Sequence, residues 1–230
     1  MTRSSEVRVA SPRRVGAETS KTRALLLEAA EGLMLEEGYA AVTYRAVAGR
    51  AGVTGGLVQY YFPTLEALLL ALLQRRSEQN FERLVEALAS RPDEPLRIVW
   101  DFSTDETTAA LLVEFMALAN HRKPIRAAIL EVTERTRKAQ LEALEARWDD
   151  YRTAAGGLSP QALLFLLHGI PKIMQLEEVF GLSTAHAEVL RFVQERLDAV
   201  EPLGARAKDP AAAATKKNAR QRSSKPTARR

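Results

Sequence analysis

The chain has 230 residues, 46% of them apolar, with no cysteine and a formal net charge of +4. That length and apolar share suit one large or two small globular domains. The lack of thiols excludes disulfides and thiolate metal sites, and no run approaches the roughly 18 apolar residues of a membrane span. The N-terminus is polar and dotted with Arg, without the apolar core of a signal peptide, so a cytoplasmic protein of bacterial type is expected.

The charge is unevenly placed. Residues 203–230 hold nine Lys/Arg against one acid, Asp209, and residues 1–23 hold six Lys/Arg against two Glu, which leaves 24–202 at −8. The basic balance therefore belongs to the two ends. Residues 1–19 show no periodicity and read as a flexible basic arm, able to follow a sugar-phosphate backbone or enter a minor groove through Arg13, Arg14, Lys21 and Arg23. For residues 1–12 the plain alternative is an untethered chain end.

A helix is predicted over 20–37, where Leu25, Leu26, Ala29, Ala30, Leu33 and Met34 recur at helical spacing before Gly38 stops it. Tyr39 and Val42 continue the core. The stretch TYRAVAGRAGVTGGLVQYYF then fills 43–62. Thr43 caps a helix over 44–50, Val47 and Ala48 turn inward, and Gly52 supplies the left-handed conformation of a helix end. Val53 plugs the corner and Thr54 caps a second helix over 55–61. Two helices joined by a turn of about 3–4 residues containing Gly make a helix-turn-helix; the plain alternative is an ordinary helical hairpin.

Base reading in such a motif falls to the outer face of the second helix, here Thr54, Gly55, Gly56, Gln59 and Tyr60. The two glycines let the backbone approach closely, and Gln is able to bind adenine N6/N7 bidentately. Tyr44 and Arg45 before it, and Tyr60, Tyr61 and Thr64 around its exit, stand where backbone phosphates would lie. Leu57, Val58 and Phe62 read as core.

Pro63 and Thr64 open a helix that runs to about residue 90, where RPDEP breaks it. Further helices are predicted over 96–103, 107–120 and 124–151. Gly156 and Gly157 mark a loop, and Ser159-Pro160 starts an apolar helix to about 180, with a kink expected at Gly169-Ile170-Pro171. The last helix, capped by Ser183 or Thr184, ends near Glu201. No strand signal and no internal repeat is present. Residues 203–230 are basic and of low complexity, and are expected to be a disordered tail. The fold class is all-α, with about nine helices.

The segments KTRALLLEAAEGLMLEEGYAAVTYRAVAGRAGV and TGGLVQYYFPTLEALLLALL resemble the N-terminal domain of the TetR (tetracycline repressor-like) family of transcriptional regulators. The resemblance covers about residues 20–71 and includes EEGY before the motif, AGVT at its turn and YYF closing it. It implies a three-helix DNA-binding domain over 20–66, with its motif at 43–62, and a C-terminal helical ligand-binding and dimerisation domain over 67–202. Positions matching Thr43, Thr54, Tyr61 and Thr64 commonly anchor phosphates in that family. Gln59 stands where many members carry Tyr, and offers an amide to a base edge instead.

One short recognition helix reads too few bases for genomic specificity, so a homodimer on a palindromic operator of double-stranded DNA is expected. The surplus apolar residues of the last two helices, Leu163, Leu166, Leu167, Ile170, Ile173, Met174, Leu190, Val193 and Leu197, are the candidates for the dimer face; in the family the matching helices form a four-helix interface. The resemblance also implies a small-molecule effector. Trp100, Phe102, Phe115, Met116, Phe165 and His168 are its candidate pocket, suited to an apolar or amphipathic ligand, with Lys172 the nearest partner for an acid. Each is equally what a helical core needs.

Enzyme chemistry finds no support. His121, His168 and His186 are scattered without metal spacing, and there is neither a nucleophile elbow nor a phosphate-cradling Gly loop. No catalytic residue, metal, cofactor or membrane partner is expected. The chain reads as a sequence-specific DNA-binding regulator, in the family's usual mode a repressor; the competing reading is an all-helical protein-interaction adaptor without sequence-specific DNA binding.

Overall fold

The computed structural model describes residues 12–202, with side chains from Lys21 onward except at 106–109. The chain divides into two compact units, one through Thr184 and one from Ala185. In the first unit, α1 (Pro12–Glu37) and a 3-10 turn (Tyr39–Ala41) lead into α2 (Tyr44–Ala51), α3 (Gly55–Tyr61) and α4 (Leu65–Ser90). There follow α5 (Pro95–Ser103), α6 (Glu106–Ala119), α7 (Lys123–Glu145), α8 (Trp148–Tyr151) and α9 (Pro160–Val179). The second unit holds α10 (His186–Val200). There is no strand among the described residues, and no single described helix is long and apolar enough to cross a membrane.

Three boundaries differ from the sequence expectation. First, α1 starts at Pro12, so residues 12–19 of the anticipated arm are helical backbone. Proline suits a first helical turn, where its missing N–H has no partner to lose and its φ is preset. Residues 1–11 and the expected disordered tail, 203–230, lie outside the described residues, as do the side chains of Arg13 and Arg14. Second, the helix expected over 124–151 is two helices. Arg147 leaves helical geometry at φ −124°, and its guanidinium is tied to Asp150 and across to Asp93, between α4 and α5. Third, α10 is entered through Ala185 in the left-handed region at φ 65°, with no side-chain cap from Ser183 or Thr184. Pro171 sits inside α9, which continues on both sides of it.

The principal core explains why the N-terminal helices hold their places. Leu26, Ala30 and Met34 of α1, Val47 and Ala48 of α2, Val58 of α3 and Leu68, Leu69 and Leu72 of α4 are all buried in one cluster. Leu111, Phe115 and Leu118 of α6 and Ile125 of α7 belong to the same cluster. Each such side chain contributes roughly 1.5–3 kcal/mol when fully buried. The first three helices therefore share a core with α6 and are not held by α4 alone.

Polar contacts set the angle of that junction. Glu114 Oε2 of α6 accepts the Tyr39 backbone N–H at 2.7 Å. Arg75 of α4 donates to the Ala24 carbonyl at 3.0 Å and to Glu28 at 2.9 Å, and the Arg76 Nε lies 3.3 Å from Glu31 Oε1. Partly exposed pairs of this kind contribute at most about 1 kcal/mol each. Their role is orientation more than stability.

Candidate nucleic-acid interface

The motif is built from local caps. Thr43, with extended backbone, accepts the Ala46 N–H on its Oγ1 at 3.2 Å and so starts α2. Gly52, at φ 66° and ψ 32°, ends it, a conformation that costs a residue with a Cβ but not glycine. Thr54 Oγ1 accepts the Leu57 N–H at 3.3 Å to start α3, and Thr64 Oγ1 accepts the Ala67 N–H at 3.0 Å to start α4. In all three the hydroxyl oxygen acts as acceptor. Its own O–H stays available to donate to an oxygen outside the chain.

α3 buries one residue, Val58, and Phe62 seals the end. Thr54, Gly55, Gly56, Gln59 and Tyr60 are exposed together, Tyr60 to 76%. The Tyr60 and Tyr61 rings meet edge to face, 5.3 Å apart, with Tyr61 packed back against the core. At Gly55 and Gly56 an added Cβ would meet nothing within 4 Å, and neither has a positive φ. Glycine costs a helix about 1 kcal/mol relative to alanine, and nothing among the described residues requires it at these two places. What the pair provides is bare backbone on the outward face.

The cations of the motif are not equivalent. Arg50 is held by Glu36 through two bonds, at 2.6 and 2.7 Å. The side chain crosses α1 at Gly32, where a Cβ would come within 2.5 Å of its guanidinium. This pairing holds the Glu36 carboxyl below its ordinary range and raises Arg50. Arg45 is exposed and makes no ion pair among the described residues. Arg23, one of the residues expected to reach DNA, stacks over the Phe62 ring at 5.2 Å, which carries its charge to the end of the motif.

One expected phosphate contact is corrected. The Tyr44 hydroxyl donates to the Phe62 carbonyl at 2.8 Å. That uses its only hydrogen, so Tyr44 fastens the start of α2 to the end of α3 and has none left for a phosphate.

The C-terminal expectations change more. An open cavity of about 190 Å³ lies among α4, α5, α6, α7 and α9, and of the six residues expected to line it only Phe102 and His168 do. Trp100 is buried away from it, and Phe115 belongs to the core shared with the N-terminal helices. Met116 and Phe165 are exposed to 52% and 66%. Apolar spacing marks these residues as helical but does not say which way each helix is turned. The actual lining is amphipathic: Phe81, Leu84 and Val132 stand with Arg137, Gln140 and Lys172. Burial, and then the nearby charges of Lys172 and Arg137, lower the His168 pKa to about 4, so its imidazole is neutral at pH 7. Burial and Arg137 also lower Lys172.

The candidate dimer residues are corrected in the same way. Leu167, Met174, Val193 and Leu197 are buried within the single chain and are not free for a partner, while Leu163 and Ile170 are half-buried. Leu190 is exposed. On α9 the exposed apolar residues are Phe165, Leu166, Ile173, Leu176 and Val179, with Phe180 following. Leu166 and Ile173 among them were expected at the dimer face; Phe165, Leu176 and Val179 were not.

Comparison with known proteins adds the following. Residues 26–72 match the model of a family described as bacterial regulatory proteins, tetR family. The HTH-type transcriptional regulator CymR of Pseudomonas putida is 31% identical over 131 residues, which span 54% of this chain and 64% of that protein. The match thus covers less than two thirds of the relative. Among solved structures, a TetR transcription regulator from Haloarcula marismortui ATCC 43049 has a TM-score of 0.62 at 19% identity, over 78% of this chain and 98% of that one. A TetR-family regulator from Rhodococcus sp. has a TM-score of 0.60, also at 19% identity, over 79% and 99%. At such identities the structural likeness speaks for the fold: an N-terminal helix-turn-helix followed by a helical domain.

Proposed function

We propose, from the match to the tetR family model and the likeness to CymR, that the chain is a tetR-family regulatory protein and a sequence-specific DNA-binding regulator of transcription. In this reading residues 20–66 are the DNA-reading head and residues 67–202 the regulatory and dimerisation region. The protein acts as a homodimer on a palindromic operator, and a small effector releases it, which makes it a repressor. The observation that carries the reading is the outward face of α3, where two glycines that nothing among the described residues requires sit beside one long amide, Gln59.

Gln59 reads a base edge, with adenine N6/N7 the geometry that suits a Gln side chain. Thr54, Gly55, Gly56 and Tyr60 lie against the groove. Thr43, Thr54, Thr64 and Tyr61 position the head on phosphates through their hydroxyls, and Arg45 supplies charge. Because Arg50 is engaged by Glu36, the motif has little free positive charge of its own. Affinity then leans on hydroxyl donors, on Arg23 and on the basic chain ends.

Two features support coupling of effector to head. Arg76 lines the cavity and also pairs with Glu31 of α1, and α6, whose Leu112 lines the cavity, holds the chain after α1 through Glu114. The exposed apolar face of α9 supports pairing of two copies. An electrophoretic mobility assay against the DNA upstream of the protein's own coding sequence tests the function. A shifted band that survives excess unrelated DNA is expected; equal competition by unrelated DNA would return the molecule to the adaptor reading.

A further inference from the structure

Cations outnumber carboxylates in the described lining of the cavity. Arg137 and Lys172 line it, both exposed, and neither pairs with a carboxylate among the described residues. A third cation, Arg76, is held by Glu31. The one carboxylate among the lining residues, Asp105, is already engaged. His168 stands beside the two free cations and stays uncharged, since burial and those charges oppose a further proton. Two like charges facing an open, partly apolar space leave a place for a counter-charge that the described lining does not supply.

The rest of the lining gives the shape of what would bring it. Phe81, Leu84, Phe102, Leu112 and Val132 form the apolar wall. Gln140 also lines the cavity, is 2% exposed, and its Oε1 has no hydrogen-bond partner. The volume, about 190 Å³, is slightly above the ~150 Å³ known to admit a benzene ring. It is large enough for one ring with small substituents.

Resting on the effector reading above, we propose that this cavity binds a small, single-ring organic carboxylate. Its anionic end is held at the cationic side by Arg137 and Lys172, and its ring lies against the phenylalanines. This narrows the apolar or amphipathic ligand expected from the sequence to an anion.

Three probes of one shape separate the possibilities on the full chain by calorimetry at pH 7.5: 4-hydroxybenzoate, 4-hydroxybenzamide and 4-hydroxybenzylamine. The carboxylate should bind about tenfold or more tighter than the amide, the gain typical of a charge-assisted hydrogen bond, and the amine weakest. Lys172→Met should lose about that factor for the carboxylate and leave the amide unchanged, while Lys172→Arg should largely retain carboxylate binding and so show that the loss comes from the charge. Equal or tighter binding of the amide or the amine, no binding of any probe, or an unaffected Lys172→Met would overturn the proposal. Carboxylate binding in the expected order without any change in DNA affinity would leave the anion site standing and remove the effector reading.

Discussion

Acid should weaken this protein through His168. In the unfolded chain the imidazole takes up its proton near the ordinary value of about 6.5; in the fold it does so only near about 4. A pKa depressed by folding means that the unfolded state binds more protons in between, so stability is full above about pH 6.5 and falls as the pH drops towards 4. The whole gap corresponds to roughly 3 kcal/mol, and at pH 5, where the folded imidazole is still mostly neutral, about 2 kcal/mol is already lost relative to pH 8. That is a sizeable part of the ~5–15 kcal/mol that holds a domain folded. Urea unfolding of the wild type and of His168→Gln at pH 8, 6 and 5 isolates the effect, because every other titrating group is common to both proteins. The wild type should lose about 2 kcal/mol more than the variant between pH 8 and pH 5. Burial is the largest cause of the shift, so Lys172→Met should keep most of this difference. Parallel loss of stability in wild type and His168→Gln would show that His168 is not held neutral, and the reasoning would fail.

The head and the dimer face offer further tests. Gln59→Ala should relax base preference in a selection from random DNA with little change in stability, since the side chain is exposed; an unchanged preference would remove its base-reading role. Arg45→Ala should weaken binding to all sequences and reduce the slope of affinity against salt by about one unit, as fluorescence anisotropy at several salt concentrations will measure. Tyr44→Phe should cost about 1 kcal/mol of stability through the lost bond to the Phe62 carbonyl, with the DNA affinity of the folded protein intact. Phe165→Asp should shift sedimentation towards the monomer while leaving the helical content by circular dichroism unchanged, because Phe165 is 66% exposed in one chain. A wild type that is already monomeric at every concentration would refute pairing through α9.

The motif was legible because its determinants are local. Thr43, Thr54 and Thr64 each cap a helix by a bond to the residue three places on, and Gly52 ends α2 by its own backbone geometry. Interactions that short follow from which residue types stand next to one another, so helix starts, the turn and the exposed side of α3 could be read without coordinates. The same holds for the all-helical class, which rests on apolar spacing alone. Side-chain fates that span the chain could not be read. Tyr44 was expected at a phosphate, but its hydroxyl is bonded to Phe62, 18 residues away, and Arg50 is held by Glu36, 14 residues away, a pairing with no sign in the sequence around either residue.

The helical region marks the same division on a larger scale. Periodicity identified α6 and α9 as apolar helices, but the rotation of each within the bundle decided that Phe115 joins the core of the head, that Met116 and Phe165 face outward, and that Leu167 and Met174 face in. A cavity gathered from five helices has no signature in any one of them, so its cationic character emerged only when α7 brought Arg137 and α9 brought Lys172 to the same space. The sequence by itself determined the all-helical class and the helix starts and turn of the reading motif, because those depend on neighbours within one turn. Tertiary packing alone decided which charges are engaged, which apolar faces remain free and what chemistry the cavity offers, because those depend on which distant residues the fold places side by side.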